Sequence, residues 1–321
     1  MSSTELQLPA LGYGAANVGN LFRRLSEDEA WAVLEAAWDA GIRYFDTAPH
    51  YGLGLSERRL GSFLQTKPRD EFVLSTKVGR LLRPNPAHAP GGLDTDNDFH
   101  VPDDLQRVWD FTEAGIRASI AESQERLGLE RIDLLYLHDP ERNDLDLAIA
   151  EAFPALEALR ADGAVRAIGV GSMVSEALAR SVREADLDLI MVAGRYTLLE
   201  QPAAHDVLPA CAQRQTGIVA ASVFNSGLLA QTEPRRDGRY EYGQLPDELW
   251  QRLVRIAAVC AARDVPLPAA AIQFPLQADV VRSVVVGGSR PAQLRQNAEY
   301  AALEIPAELW AELAAEGLIP A

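Results

Sequence analysis

The sequence predicts an α/β chain of the (β/α)8, or TIM-barrel, class, folded as a single domain over residues 1–321. Three observations predict it. Short runs rich in Val, Ile, Leu and aromatic residues alternate eight times with longer segments rich in Ala, Leu, Glu and Arg. The short runs read as buried strands and the longer segments as amphipathic helices. The chain is 48% hydrophobic and 24% charged, enough for one large core, and no linker divides it. An open, doubly wound sheet is the rival architecture. It needs a three-glycine turn after its first strand, and Gly12-Tyr-Gly14 followed by Asn17 lacks the third glycine.

The first strand is 11–14. A helix over 26–40 follows and opens with the capping-box pattern Ser26-Glu-Asp-Glu29. Strand 42–45 pairs with helix 56–65. Strand 72–76 runs into residues 79–109, which read as a long loop because Pro84, Pro86, Pro90, Pro102 and the Gly91-Gly92 break interrupt them. Loops of that length in compact domains are functional or disordered. Helix 112–127 follows. The next pairs are strand 132–137 with helix 147–161, strand 165–170 with helix 175–184, and strand 189–192 with helix 201–215. Strand 218–221 leads into a second long loop, 225–246, with Arg235, Arg236 and Arg239. That loop reads equally as a solvated excursion or a lid. Helix 247–263 completes the seventh unit, strand 283–286 and helix 291–302 the eighth. A last helix over 306–316 is expected to pack across the barrel.

Charge and cysteine usage exclude several functions. Lys and Arg number 30 against 46 Asp and Glu, a net charge of −16, so no basic face for nucleic acid or anionic membrane is expected. Cys211 and Cys260 are the two cysteines, too few for a disulfide framework or a cysteine zinc site. His50, His88, His100, His138 and His205 show no pair at metal-ligand spacing, and no metal is expected. No apolar run is long enough to span a membrane. The first residues, Met-Ser-Ser-Thr-Glu-Leu-Gln, have no signal-peptide pattern, so a cytoplasmic protein is the expectation.

Active sites of barrels lie at the C-terminal ends of the strands. The second strand ends Arg43-Tyr-Phe-Asp46, the third Leu74-Ser-Thr-Lys77 and the fourth Leu135-Tyr-Leu-His138. Each residue alone has an ordinary structural explanation: a cap, a rim charge, a hydrogen-bonded histidine. Together, three neighbouring strands set Asp, Lys and His on one rim, with Tyr51 in the next loop. A buried lysine needs an anion, and Asp46 supplies one. A lysine cation beside a phenol is expected to lower the Tyr51 pKa and make it a proton donor or acceptor near neutrality. His138 then hydrogen-bonds the same substrate oxygen. The set moves a proton at a carbonyl or alcohol carbon. Nothing in it takes up hydride, so a redox reaction requires a cofactor. The seventh strand runs into Ser222-Val-Phe-Asn-Ser-Gly227 and the eighth into Gly287-Gly-Ser-Arg-Pro291 and a helix, positions where barrels bind phosphate. Arg290 suits a phosphate or an adenine face. Ordinary turn chemistry is the alternative there.

These residues resemble the aldo-keto reductase family. The resemblance rests on Gly41-Ile-Arg-Tyr-Phe-Asp-Thr-Ala-Pro-His-Tyr51, Ser56-Glu-Arg-Arg-Leu-Gly61, Ser75-Thr-Lys77, Ile132-Asp-Leu-Leu-Tyr-Leu-His138, Gly163-Ala-Val-Arg-Ala-Ile-Gly169 and Gly288-Ser-Arg-Pro-Ala-Gln-Leu-Arg-Gln-Asn297. It implies a catalytic tetrad of Asp46, Tyr51, Lys77 and His138 and a nicotinamide cofactor stretched across the barrel mouth. It implies that Gln293, Gln296 and Asn297 meet the adenosine end and that Ser222, Phe224 and Gly227 lie near the pyrophosphate. Gly288, Ser289 and Arg290 join them at the phosphate end.

The chain departs from the family pattern where the nicotinamide is held. Gly171-Ser172 stands for Ser-Asn after the fifth strand, Ala193 for Gln on the sixth and Ala221 for Tyr on the seventh. Ser172 is expected to keep one hydrogen bond, with Arg195 or Tyr196 supplying others. Ala193-Gly-Arg-Tyr-Thr-Leu-Leu-Glu200, Phe224-Asn-Ser-Gly-Leu-Leu229 and His138-Asp-Pro-Glu141 resemble the branch of D-threo-aldose 1-dehydrogenases and pyridoxal 4-dehydrogenase. That resemblance implies oxidation of a small sugar such as L-fucose, L-galactose or D-arabinose at C1, with pyridoxal oxidation or general NADPH-dependent aldehyde reduction as alternatives. Trp109 and Phe111 are expected either to meet the sugar or to pack in the core. The cofactor is NAD or NADP. Gly287, standing where NADP-specific members often carry Lys, leans the choice to NAD. A monomer or homodimer is expected.

Overall fold

Eight parallel strands close on themselves: β1 (Leu11–Gly14), β2 (Tyr44–Asp46), β3 (Val73–Val78), β4 (Leu134–His138), β5 (Ala167–Ser172), β6 (Leu189–Ala193), β7 (Gly217–Ala221) and β8 (Val281–Val286). They follow one another in order around the barrel, and β1 pairs with both β2 and β8. This computed structural model describes residues 6–241 and 243–320; residues 1–5, part of the N-terminal segment read above, lie outside them. Strands β2, β4 and β5 each begin two residues later than the apolar runs suggest. Ile42, Ile132 and Val165 are buried, but they fill the turn that enters each strand instead of joining a ladder.

The helices are α1 (Glu27–Asp39), α2 (Leu55–Leu64), α3 (Glu113–Leu127), α4 (Phe153–Ala161), α5 (Ser175–Glu184), α6 (Val207–Arg214), α7 (Asp247–Ala262), α8 (Leu267–Gln273), α9 (Pro291–Ala302) and α10 (Ala307–Ala315). The capping box of α1 forms as expected, with the Glu29 amide donating to Ser26 Oγ at 3.1 Å and the Ser26 amide to Glu29 Oε2 at 2.8 Å. Proline shortens one expected helix. The segment 147–161 is helical throughout, passing through a wider π-helical turn at Ala148–Ala152 into α4, whose first turn holds Pro154, whereas a tight turn at Pro202–Ala204 delays α6 to Val207.

Three expectations need correction. Residues 79–109 are not a structureless loop: Arg80–Pro84 and Leu105–Trp109 pair antiparallel, and the prolines lie at the end of this ribbon and beyond it. The helix of the seventh unit that packs beside α9 is α8, not 247–263. Its sequence, Leu-Pro-Ala-Ala-Ala-Ile-Gln, is apolar up to the final Gln273 and has no helical period to read. The last helix, α10, pairs with α7 instead of lying across the barrel.

Strand alternation decides what points inward. Tyr44, Leu134, Tyr136, Leu189, Met191, Val219 and Val285 fill the barrel as one buried cluster. Counting on by two from Tyr44, Val73 and Tyr136 brings Asp46, Lys77 and His138 to the inward face at the C-terminal rim. Gly12 makes room for this interior, since a Cβ there would lie 2.6 Å from the ring of Tyr44. At the same rim Gly171, Ala193 and Ala221 bring little side-chain bulk, and they line an open cleft.

Candidate active site

Lys77 is buried, and its Nζ donates to Asp46 Oδ2 at 2.6 Å and to the Thr47 carbonyl at 3.0 Å. The other carboxylate oxygen of Asp46 accepts from Ser75 Oγ at 2.7 Å, and Ser75 lies 3.1 Å from the Tyr44 hydroxyl. Burial alone would drive the Lys77 ammonium down, but Asp46 and Tyr51 hold it above the ordinary lysine value. Asp46 is therefore a fixed counter-ion with its second oxygen satisfied, as a buried ion pair requires.

Tyr51 stands beside this pair, its ring centroid 4.7 Å from Lys77 Nζ. The expectation that Lys77 lowers the phenol is corrected. Burial outweighs the cation and raises Tyr51 above the ordinary phenol value, with Lys77 pulling against it. The phenol is held protonated. His138 packs edge-on to Tyr51, ring centroids 5.9 Å apart. Burial first, and then the charges of Arg80 and Lys77, push its imidazole well below the ordinary histidine value, so it is neutral.

The loop carrying Tyr51 is fixed by backbone contact. Gly52 has φ +60°, and a Cβ there would lie 2.1 Å from the Gly19 carbonyl oxygen. The segment Ser56-Glu-Arg-Arg anchors the loop from below. Ser56 Oγ bonds the Ala15 carbonyl and Thr47 Oγ1, both at 2.8 Å. Glu57 accepts from Thr76 Oγ1 at 2.7 Å and from Arg126 Nε at 2.6 Å. Arg59 donates to the Val18 and Leu25 carbonyls and to Asn20.

A cleft of about 570 Å³ opens at this rim. Asp46, Tyr51, Lys77 and His138 line it, as do Ser172, Ser222, Phe224, Gly227, Gly288, Ser289 and Gln293. It runs from the tetrad across β5–β8 to the start of α9. Gln293 Oε1 accepts the amides of Ser289 and Arg290 there, at 2.9 and 3.1 Å. Arg290, Gln296 and Asn297 do not line it. Arg290, directly before α9, and Gln296 on it are exposed, and Asn297 is buried with its side-chain amide 3.5 Å from the Gly287 carbonyl. Ser172 spends its proton on Glu141 Oε1 at 2.6 Å and accepts the Val174 amide at 2.8 Å. Arg195 reaches the cleft, but its Nε is taken by the Met173 carbonyl at 2.7 Å and its Nη2 by Glu241 at 2.5 Å. Tyr196 is buried against Phe274, away from the cleft.

The 225–246 loop comes back over the cleft. Tyr240 and Glu241 line it, Tyr240 donating to Glu200 at 2.7 Å and the Glu241 amide to Ser226 Oγ at 3.1 Å. Trp109 and Phe111 do not line it: they pack on each other at 5.7 Å, and Arg80 lies 4.3 Å above the Trp109 ring. Sequence reasoning missed four residues of this region. Phe22 lines the mouth and is 64% exposed with φ +62°. His50 packs edge-on to His138 at 5.5 Å. Arg80 and Asp139 form an ion pair beside both. The sequence signals for Asp139 were its place directly after His138 and its presence in the motif His138-Asp-Pro-Glu141, neither of which gave it a role. Among the described residues no cluster of His, Cys, Asp or Glu is placed to hold a metal.

A buried Lys–Asp pair, a protonated phenol and a neutral histidine around one cleft make a proton-transfer site for a carbonyl–alcohol pair. The cleft's extension to α9 leaves space for a hydride carrier. Known proteins resemble the chain in sequence and fold. The sequence model of the Aldo/keto reductase family matches residues 10–316. The chain is 83% identical to D-threo-aldose 1-dehydrogenase from Pseudomonas sp., covering 100% of this chain and 99% of the other. It is 40% identical to pyridoxal 4-dehydrogenase from Microbacterium luteolum, over 99% of this chain and 97% of the other. Its fold matches the holo form of an aldo-keto reductase from Bacillus halodurans with a TM-score of 0.77, covering 98% of this chain and 94% of that one at 24% identity. The family model and the full-length similarity agree, and the chain belongs to the aldo/keto reductase family.

Proposed function

We propose that the chain oxidises an aldose at C1 to its 1,5-lactone, with Tyr51 as the acid/base, Lys77 and Asp46 as its charged support and His138 as the donor that orients the reacting oxygen. The full-length 83% identity to an aldose 1-dehydrogenase carries the substrate class, and the tetrad geometry carries the chemistry. The chain uses a nicotinamide cofactor, NAD or NADP, which when bound takes up the hydride from C1. The proton is handled by this chain's own residues. Neutral His138 hydrogen-bonds the anomeric oxygen, and Tyr51, once ionised to the phenolate, takes the hydroxyl proton as the C–H bond breaks. Lys77 stabilises that phenolate before the transfer, and the arriving proton discharges it.

The residues fit such a cofactor. Ser172 keeps an acceptor lone pair for its amide, with the hydroxyl orientation fixed by Glu141. Ser222, Phe224 and Gly227 are proposed to flank its phosphates, with Gly288, Ser289 and Gln293 at the start of α9. Arg290, Gln296 and Asn297 remain proposed contacts for the adenosine end, the first two from exposed positions before and on α9. NAD is proposed over NADP, because Gly287 offers no side chain to a 2′-phosphate. The same reading makes the chain a cytoplasmic enzyme, monomeric or homodimeric, acting on a small molecule. Among the described residues no helix is long and apolar enough to cross a membrane.

The test is nicotinamide reduction followed by absorbance, with NAD+ and NADP+ in parallel against L-fucose, L-galactose, D-arabinose and pyridoxal. Turnover of one of the sugars with NAD+ is expected. Turnover of pyridoxal alone would transfer the assignment to the activity of the 40% identical relative. Silence on all four with NADPH-driven reduction of simple aldehydes would overturn the dehydrogenase reading.

A further inference from the structure

We propose that Asp139 recognises the C2 hydroxyl of the aldose and so makes the enzyme selective for 2-hydroxy sugars; this rests on the aldose reading above. Asp139 directly follows the last residue of β4, His138, and adopts a left-handed backbone with φ +44°. Its amide donates to the Gly171 carbonyl at 2.8 Å, which fixes this turn to the neighbouring strand. Few side chains tolerate that conformation, and aspartate is among them. Both Asp139 and His138 line the cleft.

The carboxylate is held on one side. Arg80 Nη2 donates to Asp139 Oδ2 at 2.6 Å, and Arg80 is itself buried. Its guanidinium is stacked 4.3 Å from the centroid of Trp109 and lies 3.4 Å from His50 Nδ1. The Asp139 side chain keeps 18% of its exposure. Among the described residues nothing donates a hydrogen bond to its Oδ1, which is not among the buried atoms lacking a partner. An anchored carboxylate with a free acceptor site, open to a substrate cleft, is a receptor for a hydroxyl group.

The spacing says which hydroxyl. His138 Nε2 lies 3.7 Å from Asp139 Oδ2. That is too long for a direct hydrogen bond. It sets the carboxylate beside the imidazole, so that two neighbouring oxygens of one substrate fit there, one accepting from His138 and the other donating to the free Oδ1 of Asp139. On an aldose the oxygen at His138 is O1, and its neighbour is O2. A simple aldehyde has no such second group.

Two substrates isolate this contact. D-arabinose and 2-deoxy-D-ribose differ only in the C2 hydroxyl, so their ratio of kcat/KM reads the contact and is insensitive to a general loss of folding or catalysis. The wild-type enzyme is expected to favour D-arabinose by ~10–100-fold, the range for a hydrogen bond to a charged group. Asp139→Asn, which removes the charge, is expected to collapse that ratio towards unity, chiefly by raising KM for D-arabinose. Asp139→Glu keeps a charge for Arg80 but moves the carboxylate by one methylene, and it must lower the ratio too. A wild-type ratio near one overturns the proposal without any variant, and so does a ratio that both variants retain. If the wild-type enzyme oxidises no aldose, the aldose reading itself has failed and takes this inference with it.

Discussion

Lys77 faces Tyr51 across 4.7 Å while its charge is neutralised by Asp46 at 2.6 Å. The pairing with Asp46 weakens what the lysine can do for the phenol, and burial of Tyr51 wins. Oxidation needs Tyr51 to accept a proton, so kcat/KM for the sugar is expected to climb with pH towards and beyond the ordinary phenol value of about 10. The sign of a lysine variant follows. A cation favours the phenolate, and removing it raises the phenol pKa further. Lys77→Met is therefore expected to move the alkaline rise to higher pH, besides slowing turnover. A pH–rate profile displaced to lower pH would show that Lys77 does not act on Tyr51 electrostatically.

Tyr51→Phe removes the proton acceptor but keeps the ring that packs against His138. A loss of ~10²–10⁴ in kcat is expected for a missing general acid/base. Nicotinamide binding, followed by quenching of tryptophan fluorescence, should persist, because the variant keeps the aromatic ring that lines the cleft. Near-wild-type turnover in this variant would remove Tyr51 from the mechanism.

Gly52→Ala tests how the loop is held. The new methyl group would meet the Gly19 carbonyl at 2.1 Å on a backbone with φ +60°. The contact is backbone against backbone, so no side chain can swing aside. A loss of about 3 kcal/mol in stability is expected. kcat should also fall at temperatures where the variant is fully folded, because relief of the clash moves Tyr51. A folded variant with unchanged kcat would mean that Tyr51 is positioned by its ring contacts alone.

Asp46, Lys77 and His138 were legible because they obey a local rule: strand alternation puts them on the inner face and their chain position puts them at the rim. The barrel was legible for the same reason, through eight repeated periods. What failed to show depends on contacts between distant segments. The antiparallel ribbon of 80–84 with 105–109 looked like a broken loop, because its pairing spans 20 residues of prolines and turns. Helix α8 carries no polar face, so no period marked it. The Tyr51 pKa was misjudged because one neighbour can be read from sequence, whereas burial by the whole rim cannot. Asp139, Arg80 and His50 each look ordinary alone, and only the fold brings Arg80 within 2.6 Å of Asp139 and 3.4 Å of His50. Ser172 gives its proton to Glu141, three residues past the end of β4, a pairing that no local pattern marks.

The paired histidines predict how the protein responds to acid. His50 and His138 lie 5.5 Å apart, both largely buried, and burial together with nearby arginine charges pushes each imidazole well below its ordinary value. The folded protein keeps them neutral where the unfolded chain, with a histidine pKa near 6.5, already binds protons. The unfolded state thus holds more protons below that pH. Stability rises with pH in this window and is lost on acidification from about 6.5 towards the depressed folded values. Each histidine contributes a slope of up to about 1.4 kcal/mol per pH unit there. His50→Gln is neutral at every pH and removes one share. Urea unfolding of wild-type and variant protein between pH 5 and 7 should give a shallower decline for the variant, while the carboxylates contribute alike to both. Parallel declines would show that His50 is protonated in the folded state as readily as in the unfolded one. The Arg80–Asp139 ion pair would then screen it from the cations around it.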